Sequence, residues 1–183
     1  MREPFLTDRL LLRDITEADA DWLFDLDSDP EVMRYFPSTL TREQSDAMVA
    51  HLEAAFERNG YGLWAVEVRG GPSFIGFVGL NPVSFDAAFT PAVEIGWRLA
   101  RAQWRRGYAT EAAQRALDVA FGDARLDEVV SFTTTANEPS RAVMVRLGMV
   151  HDPAEDFDHP RVPEGPLRRH VLYRLTAAAR PPR

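Results

Sequence analysis

The feature that most constrains this chain is the run over residues 92–121, where an alternating segment, a glycine turn and a helical stripe follow one another. In "AVEIGWRLA" the apolar Val93, Ile95, Trp97 and Leu99 alternate with Glu94, Gly96 and Arg98, the two-residue period of a strand. In the segment after it, Ala109, Ala112, Ala113, Ala116, Leu117, Ala120 and Phe121 recur at the three- and four-residue spacing of one helix face. Between them lies "RRGYATEA". A helix start exposes unpaired N–H groups and the positive end of a dipole, and a glycine lets an anion approach the backbone. Arg105 and Arg106 add charged donors beside Gly107. Taken alone, the stretch fits a plain turn into a helix as well as it fits a phosphate seat.

The flanking sequence predicts a sheet covered by helices, of α/β or α+β class. Residues 10–16 read as a strand, and Thr16 with Asp19 as the capping box of a helix that runs to about Leu26. Thr41 and Gln44 mark a second helix, with Met48, Leu52, Ala55 and Phe56 on one face and Asn59-Gly60 at its end. Residues 63–70 and 73–85 flank Gly70-Gly71-Pro72 and predict a hairpin, with Gly76 and Gly79 marking a bulge or a close backbone approach. Residues 128–135 predict a strand, 137–149 a short helix with an early proline, and 168–175 a last strand. Residues 151–166 hold four prolines and five acidic residues and predict a loop. The tail from Ala177 is expected to fray.

Length and composition bound the chemistry. The 183 residues suit one domain, 1–183, with its core at about 7–175. No apolar run approaches the ~20 residues of a membrane span, and the first ten residues lack the apolar stretch of a secretory leader. A cytoplasmic protein without membrane contact is expected. A net charge of −7 argues against a nucleic-acid partner and favours a cationic one such as an amine. There is no cysteine, which excludes a thiolate nucleophile, disulfides and cysteine-ligated zinc. All 21 basic residues are arginine, which excludes a lysine Schiff base and the lysine of a P-loop. No metal-ligand cluster is apparent.

Taken in order, "VEIGWRL", "WRRGYATEA" and "NEPSRAVMVRLGM" resemble the GNAT superfamily of acyl-CoA-dependent N-acetyltransferases. The opening "TDRLLLRDITEADADWLFDL" is similar to the subgroup of ribosomal-protein-alanine N-acetyltransferases. The resemblance covers roughly residues 7–175. It implies a mixed, mostly antiparallel sheet flanked by helices and splayed where acetyl-CoA binds. It implies acetyl transfer from acetyl-CoA, a cosubstrate, to a primary amine on a protein N-terminus or a small molecule; the absence of cysteine favours direct attack in a ternary complex over a route through an acetyl-cysteine. The backbone of Trp97, Arg98 and Leu99 is then expected to pair with the pantetheine arm. Arg105, Arg106, Gly107, Tyr108, Ala109 and Thr110 are expected to hold the phosphates, although Trp104 stands where the family has glutamine or arginine. Asn137 matches an asparagine that contacts CoA, and it also suits a helix N-cap. The subgroup hints at a monomer or homodimer.

For the proton acceptor the expectation is Glu94, a mid-strand glutamate on the face opposite the apolar stripe. Its alternative is a solvent-facing residue or a partner of Arg98. His159 is a second candidate base. Many family members carry a tyrosine as acid where this chain has Met144, and the subgroup's serine corresponds to Ser140. The absent tyrosine is the one feature favouring a non-catalytic CoA-binding module. A nucleotide-binding protein using "RRGYATEA" is a further rival. In the loop 155–165, Phe157, Asp158 and His159 could face the acceptor, and Glu155, Asp156 and Asp158 could attract an amine or form a solvated acidic stretch. Trp22, Tyr35 and Phe36 could line an acceptor site or join the core. His51 and His170 read as structural.

Overall fold

The computed structural model describes residues 3–180. The chain runs β1 (Phe5–Leu6), β2 (Leu10–Asp14), α1 (Ala20–Ser28), α2 (Arg42–Asn59), β3 (Leu63–Val68), β4 (Gly76–Pro82) and β5 (Val93–Leu99). It continues through α3 (Tyr108–Asp118), β6 (Glu128–Thr134), α4 (Glu138–Arg146), β7 (Val150–His151), β8 (Phe157–Asp158) and β9 (Arg169–Thr176). The sheet order is β1-β2-β3-β4-β5-β6-β9-β7, with β8 also on β9. Every pairing is antiparallel except β5 with β6.

That parallel pair is where the sheet opens. β4 and β5 are registered along seven residues each, whereas β5 and β6 are registered only at Glu94 and Val130. Beyond that point the strands diverge, and β5 keeps backbone groups that β6 does not satisfy.

The two sheet faces carry separate cores. Trp64, Val66, Val78, Ile95 and Val129 pack with Ala112, Ala113, Ala116 and Leu117 of α3. The alternate positions Ala65 and Phe77 pack with Leu23 and Leu26 of α1 and Val49 and Leu52 of α2. The strand alternation read from sequence therefore has a physical basis on both sides.

Local signals hold closely. Asp19 accepts from the Thr16 N–H at 2.9 Å, completing the first box, although a 3-10 turn (Glu17–Asp19) precedes the α-helix proper. Thr41 and Gln44 form the second box, and Gly60 ends α2 at φ 76°. Gly79 answers the expected close approach: a Cβ there would lie 2.2 Å from the Gly62 carbonyl oxygen.

Four elements differ from expectation. β1 was not anticipated, being two residues paired with β2. The predicted strand 73–85 begins only at Gly76, whose φ of 132° breaks the extended run, although the Ile75 N–H still bonds the Val66 carbonyl. The stripe of α3 ends in a wider π turn, Val119–Asp123, closed by the Ala124 N–H on the Val119 carbonyl at 2.8 Å. The expected loop 151–166 begins within β7 and contains β8, because β9 offers a sheet edge that proline-rich composition does not reveal. At the tail, Ala177–Ala179 form a 3-10 turn capped by Thr176, and Arg180 pairs with Asp118; residues 181–183 lie outside the described residues.

Candidate active site

The loop from β5 to α3 takes its shape from two left-handed residues, Arg105 at φ 60° and Gly107 at φ 80°. Such alternation turns successive N–H groups toward one side, a concavity suited to anions. The first intrahelical bond of α3 runs from the Glu111 N–H to the Gly107 carbonyl, at 3.0 Å. The N–H groups of Tyr108, Ala109 and Thr110 therefore have no partner inside the helix.

Residues far off in sequence hold this loop in place. Arg9, in the β1–β2 turn, donates to the Arg106 carbonyl at 2.9 Å and to the Glu111 carboxylate at 2.6 Å. Glu111 also accepts from the Thr7 hydroxyl at 2.6 Å and from the Arg9 N–H at 2.9 Å. These bonds hold its carboxyl below the usual range against the opposing effect of burial. The Trp104 indole N–H donates to the Leu99 carbonyl at 2.7 Å, tying the loop back to β5.

The loop forms one end of a cavity of about 1440 Å³ that follows the opening between β5 and β6. Trp97, Arg98, Leu99, Asn137 and Ser140 line it with the loop residues, as does Glu94. Leu99 is buried in the α3-side core and Trp97 packs against that core, which turns both side chains away from the cavity; the Leu99 carbonyl is already engaged by the Trp104 indole. Seven arginines and two carboxylates, Glu31 and Glu94, line the cavity. Its local charge is thus opposite to the chain's net charge.

Arg98 is not Glu94's partner. Its guanidinium pairs with Asp27 of α1, which is fully buried and also accepts from the Ser45 hydroxyl at 3.3 Å. Burial pushes the Asp27 carboxyl up, opposed by the Arg98 charge. Phe36 and Phe77 stack on the guanidinium at 4.4 and 5.2 Å. Glu94 is left facing the cavity, and burial alone raises its pKa to about 8.

Asn137 caps α4. Its Oδ1 accepts from the Ser140 N–H at 3.2 Å, and its amide donates to the Thr133 hydroxyl at 2.8 Å. Ser140 sits in the first turn of α4. Met144 is buried in the α3-side core.

The loop 155–165 divides. Its acidic side chains are engaged elsewhere: Glu155 with Arg174 at 2.8 Å, Asp156 with His151 at 2.7 Å, and Asp158 with Arg169 at 3.4 Å. None of them lines the cavity, so of the two readings of these acids the one in which they attract an amine there is not met. His159 does line it. Burial, then the nearby His170 and Arg161 charges, lower its pKa to about 4. Tyr35, Phe36 and His170 line the cavity too, whereas Trp22 lies on a separate shallow groove and His51 is exposed on α2. Sequence reading missed Arg9, Glu111, Asp27, Phe85 and Phe132. Glu111 alone carried a local signal, an acid in the first turn of a helix.

A family model described as "Acetyltransferase (GNAT) domain" matches residues 9–150. The chain is 31% identical over 180 residues to the FsC-acetyl coenzyme A-N(2)-transacetylase of Aspergillus fumigatus, covering 93% of this chain and 74% of that protein. It is 29% identical over 144 residues to the uncharacterized N-acetyltransferase YoaA of Bacillus subtilis, covering 78% and 80%. Among solved structures, the ribosomal-protein-S5-alanine acetyltransferase from Vibrio fischeri superposes with a TM-score of 0.78 at 18% identity, covering 99% of this chain and 100% of that one. The RimL ribosomal L7/L12 α-N-protein acetyltransferase in complex with coenzyme A gives 0.76 at 16% identity, covering 97% and 99%. At such identities these two likenesses speak for the fold.

Proposed function

This chain belongs to the GNAT acetyltransferase family and is an acyltransferase, and from that premise we propose that it moves the acetyl group of acetyl-CoA onto a primary amine by direct attack. The observation that carries the reading is Glu94. It is a carboxyl without a partner among the described residues, at the point where the sheet opens, in the same cavity as a loop whose turned N–H groups suit phosphates. The arginine-lined loop end suits the phosphates of CoA, and the open β5 backbone suits its pantetheine arm.

In this reading an amine seated beside Glu94 gives up a proton to the carboxylate. Its nitrogen lone pair then forms the N–C bond as the C–S bond breaks, and the sulfur leaves as thiolate, to be protonated to the free thiol. A base whose conjugate acid has a pKa of about 8 is well matched to an α-amine near ~8. His159, at about 4, is a much weaker acceptor. Ser140 stands on the cavity wall beside Asn137, where its hydroxyl can orient the thiolate. With no cysteine in the chain, an acetyl-cysteine route has no residue to run through.

The test is CoA release from acetyl-CoA over a panel of amines, read with a thiol dye that the cysteine-free protein does not consume. Amine-dependent release that Glu94→Gln suppresses is the expected result. Release that is unchanged in Glu94→Gln overturns the assignment of the base. Failure to bind acetyl-CoA overturns the reading itself.

A further inference from the structure

Resting on the reading that this site acetylates an amine, we propose that its acceptor is a primary amine held a short linker away from an aromatic ring, seated among Phe85, Phe132, His159 and His170. These rings come from four separate places: the loop after β4, the middle of β6, the segment after β8, and β9. Their centroids lie 4.5 Å apart for Phe85–His159, 5.0 Å for His159–His170 and 5.7 Å for Phe85–Phe132. Phe89 and Phe157 back them, with Phe89–Phe157 at 4.9 Å and Phe132–Phe157 at 5.6 Å. Phe85, Phe132 and His159 are only half-buried, and all four of the named rings line the cavity. Apolar ring surface turned into a concave site is what an apolar ligand covers. Tilted and edge-on rings are also how aromatic side chains receive another ring.

The spacing to Glu94 gives the shape of the ligand. Val130 is the register partner of Glu94, and Phe132 lies two residues further along β6 on the same face. Two strand residues span about 7 Å. An amine at Glu94 and a ring beside Phe132 are thus close enough along β6 to belong to one small molecule, the amine carried on a short alkyl linker.

Charge narrows the class further. Of the two carboxylates on the cavity wall, Glu31 is paired with Arg34 at 3.6 Å, which leaves Glu94 for a single amine. The second and third charges of a polyamine would meet arginines. At the ring end Arg161 donates to the Ser84 hydroxyl at 3.0 Å, joining the two loops that carry Phe85 and His159. The low pKa of His159 keeps that imidazole neutral, in keeping with an apolar lining.

A free arylalkylamine and a phenylalanine at a peptide N-terminus share this chemistry, and the experiment separates them. Turnover of the intact protein is measured with phenethylamine, ethylamine, spermidine and a short peptide beginning with phenylalanine. A kcat/KM for phenethylamine or the peptide about tenfold or more above that for ethylamine is expected, from the burial of one ring; the larger of the two values identifies the source. Phe85→Ala is expected to lower the phenethylamine-to-ethylamine ratio about tenfold, and a ratio does not depend on how much of the variant folds. Preference for spermidine, or a ratio untouched by Phe85→Ala, overturns the ring pocket while leaving amine acetylation standing. Silence with all four amines, in protein that binds acetyl-CoA, overturns both.

Discussion

Glu94 and Val130 are the one registered pair between β5 and β6, so the carboxyl of Glu94 stands at the apex from which the two strands separate. A glutamate in the middle of a sheet would ordinarily be unfavourable. Here it meets a cavity instead of a neighbouring strand's side chains, and among the described residues no ion pair offsets its burial.

The first expectation concerns pH. With its pKa raised to about 8, Glu94 holds a proton at neutral pH. The rate of amine acetylation at saturating acetyl-CoA should rise through pH 8. Glu94→Gln should lower kcat about 10²- to 10⁴-fold, the range of a lost general base, and leave the affinity for CoA in place. The folded protein also keeps a proton that the unfolded chain gives up above about 4.5. Stability should therefore fall as pH rises from about 4.5 to about 8, and level off above. Melting curves of wild type and Glu94→Gln across that window should converge at the acid end and separate at the basic end, with the variant higher.

The Asp27–Arg98 pair should behave as a buried charge pair. Asp27→Ala leaves a guanidinium without its partner and is expected to cost about 3–5 kcal/mol. Asp27→Leu combined with Arg98→Met should recover much of that loss. Chemical denaturation of the three variants measures it, and a double variant no more stable than Asp27→Ala would show that the pair's charges are not what matters.

Gly76 meets two constraints at once. Its φ is 132°, and a Cβ there would sit 2.1 Å from the Arg98 carbonyl oxygen and 2.7 Å from the Leu99 Cα, both backbone atoms with nowhere to go. Gly76→Ala should destabilise by about 2–4 kcal/mol, the scale of a strained backbone position combined with overpacking. Thermal unfolding reads this directly, and a melting point within a degree of wild type would contradict it.

The Arg9–Glu111 contact should act on cosubstrate binding more than on chemistry. Glu111→Ala frees Arg9 from its carboxylate and loosens the turn at Arg106 and Gly107. The KM for acetyl-CoA should rise severalfold with kcat little changed. An equal fall in kcat would indicate that the loop acts on the transfer step instead.

Much of the fold could be read locally because its determinants are local. Thr41 bonds Gln44 three residues on, Gly60 turns left-handed where α2 stops, and Asn137 caps its own helix. A side chain three residues from its partner meets it in any helix, so those pairs are visible in one dimension. β1 and β8 were missed because each is two residues long and owes its strand conformation to an edge supplied by a distant segment. The site divides the same way. Glu94 and the "RRGYATEA" turn were marked by residue type and spacing. Arg9 on Glu111, 102 residues apart, and Arg98 on Asp27, 71 apart, were marked by nothing nearby.

By itself the sequence determined the helix caps, the glycine-permitted turns, the strand alternation and the motif order that mark this family. Each depends on neighbours that any conformation of the chain keeps close. Only the tertiary structure decided which charges face the site. A chain of net charge −7 presents a cavity whose charged side chains are mostly arginine, the acidic loop spends its carboxylates on outlying partners, and of the two carboxylates on the cavity wall Glu94 has no partner among the described residues. The physical reason is that the electrostatic environment of a group is set by what packs within a few ångströms of it, and that packing is made by segments the sequence holds far apart.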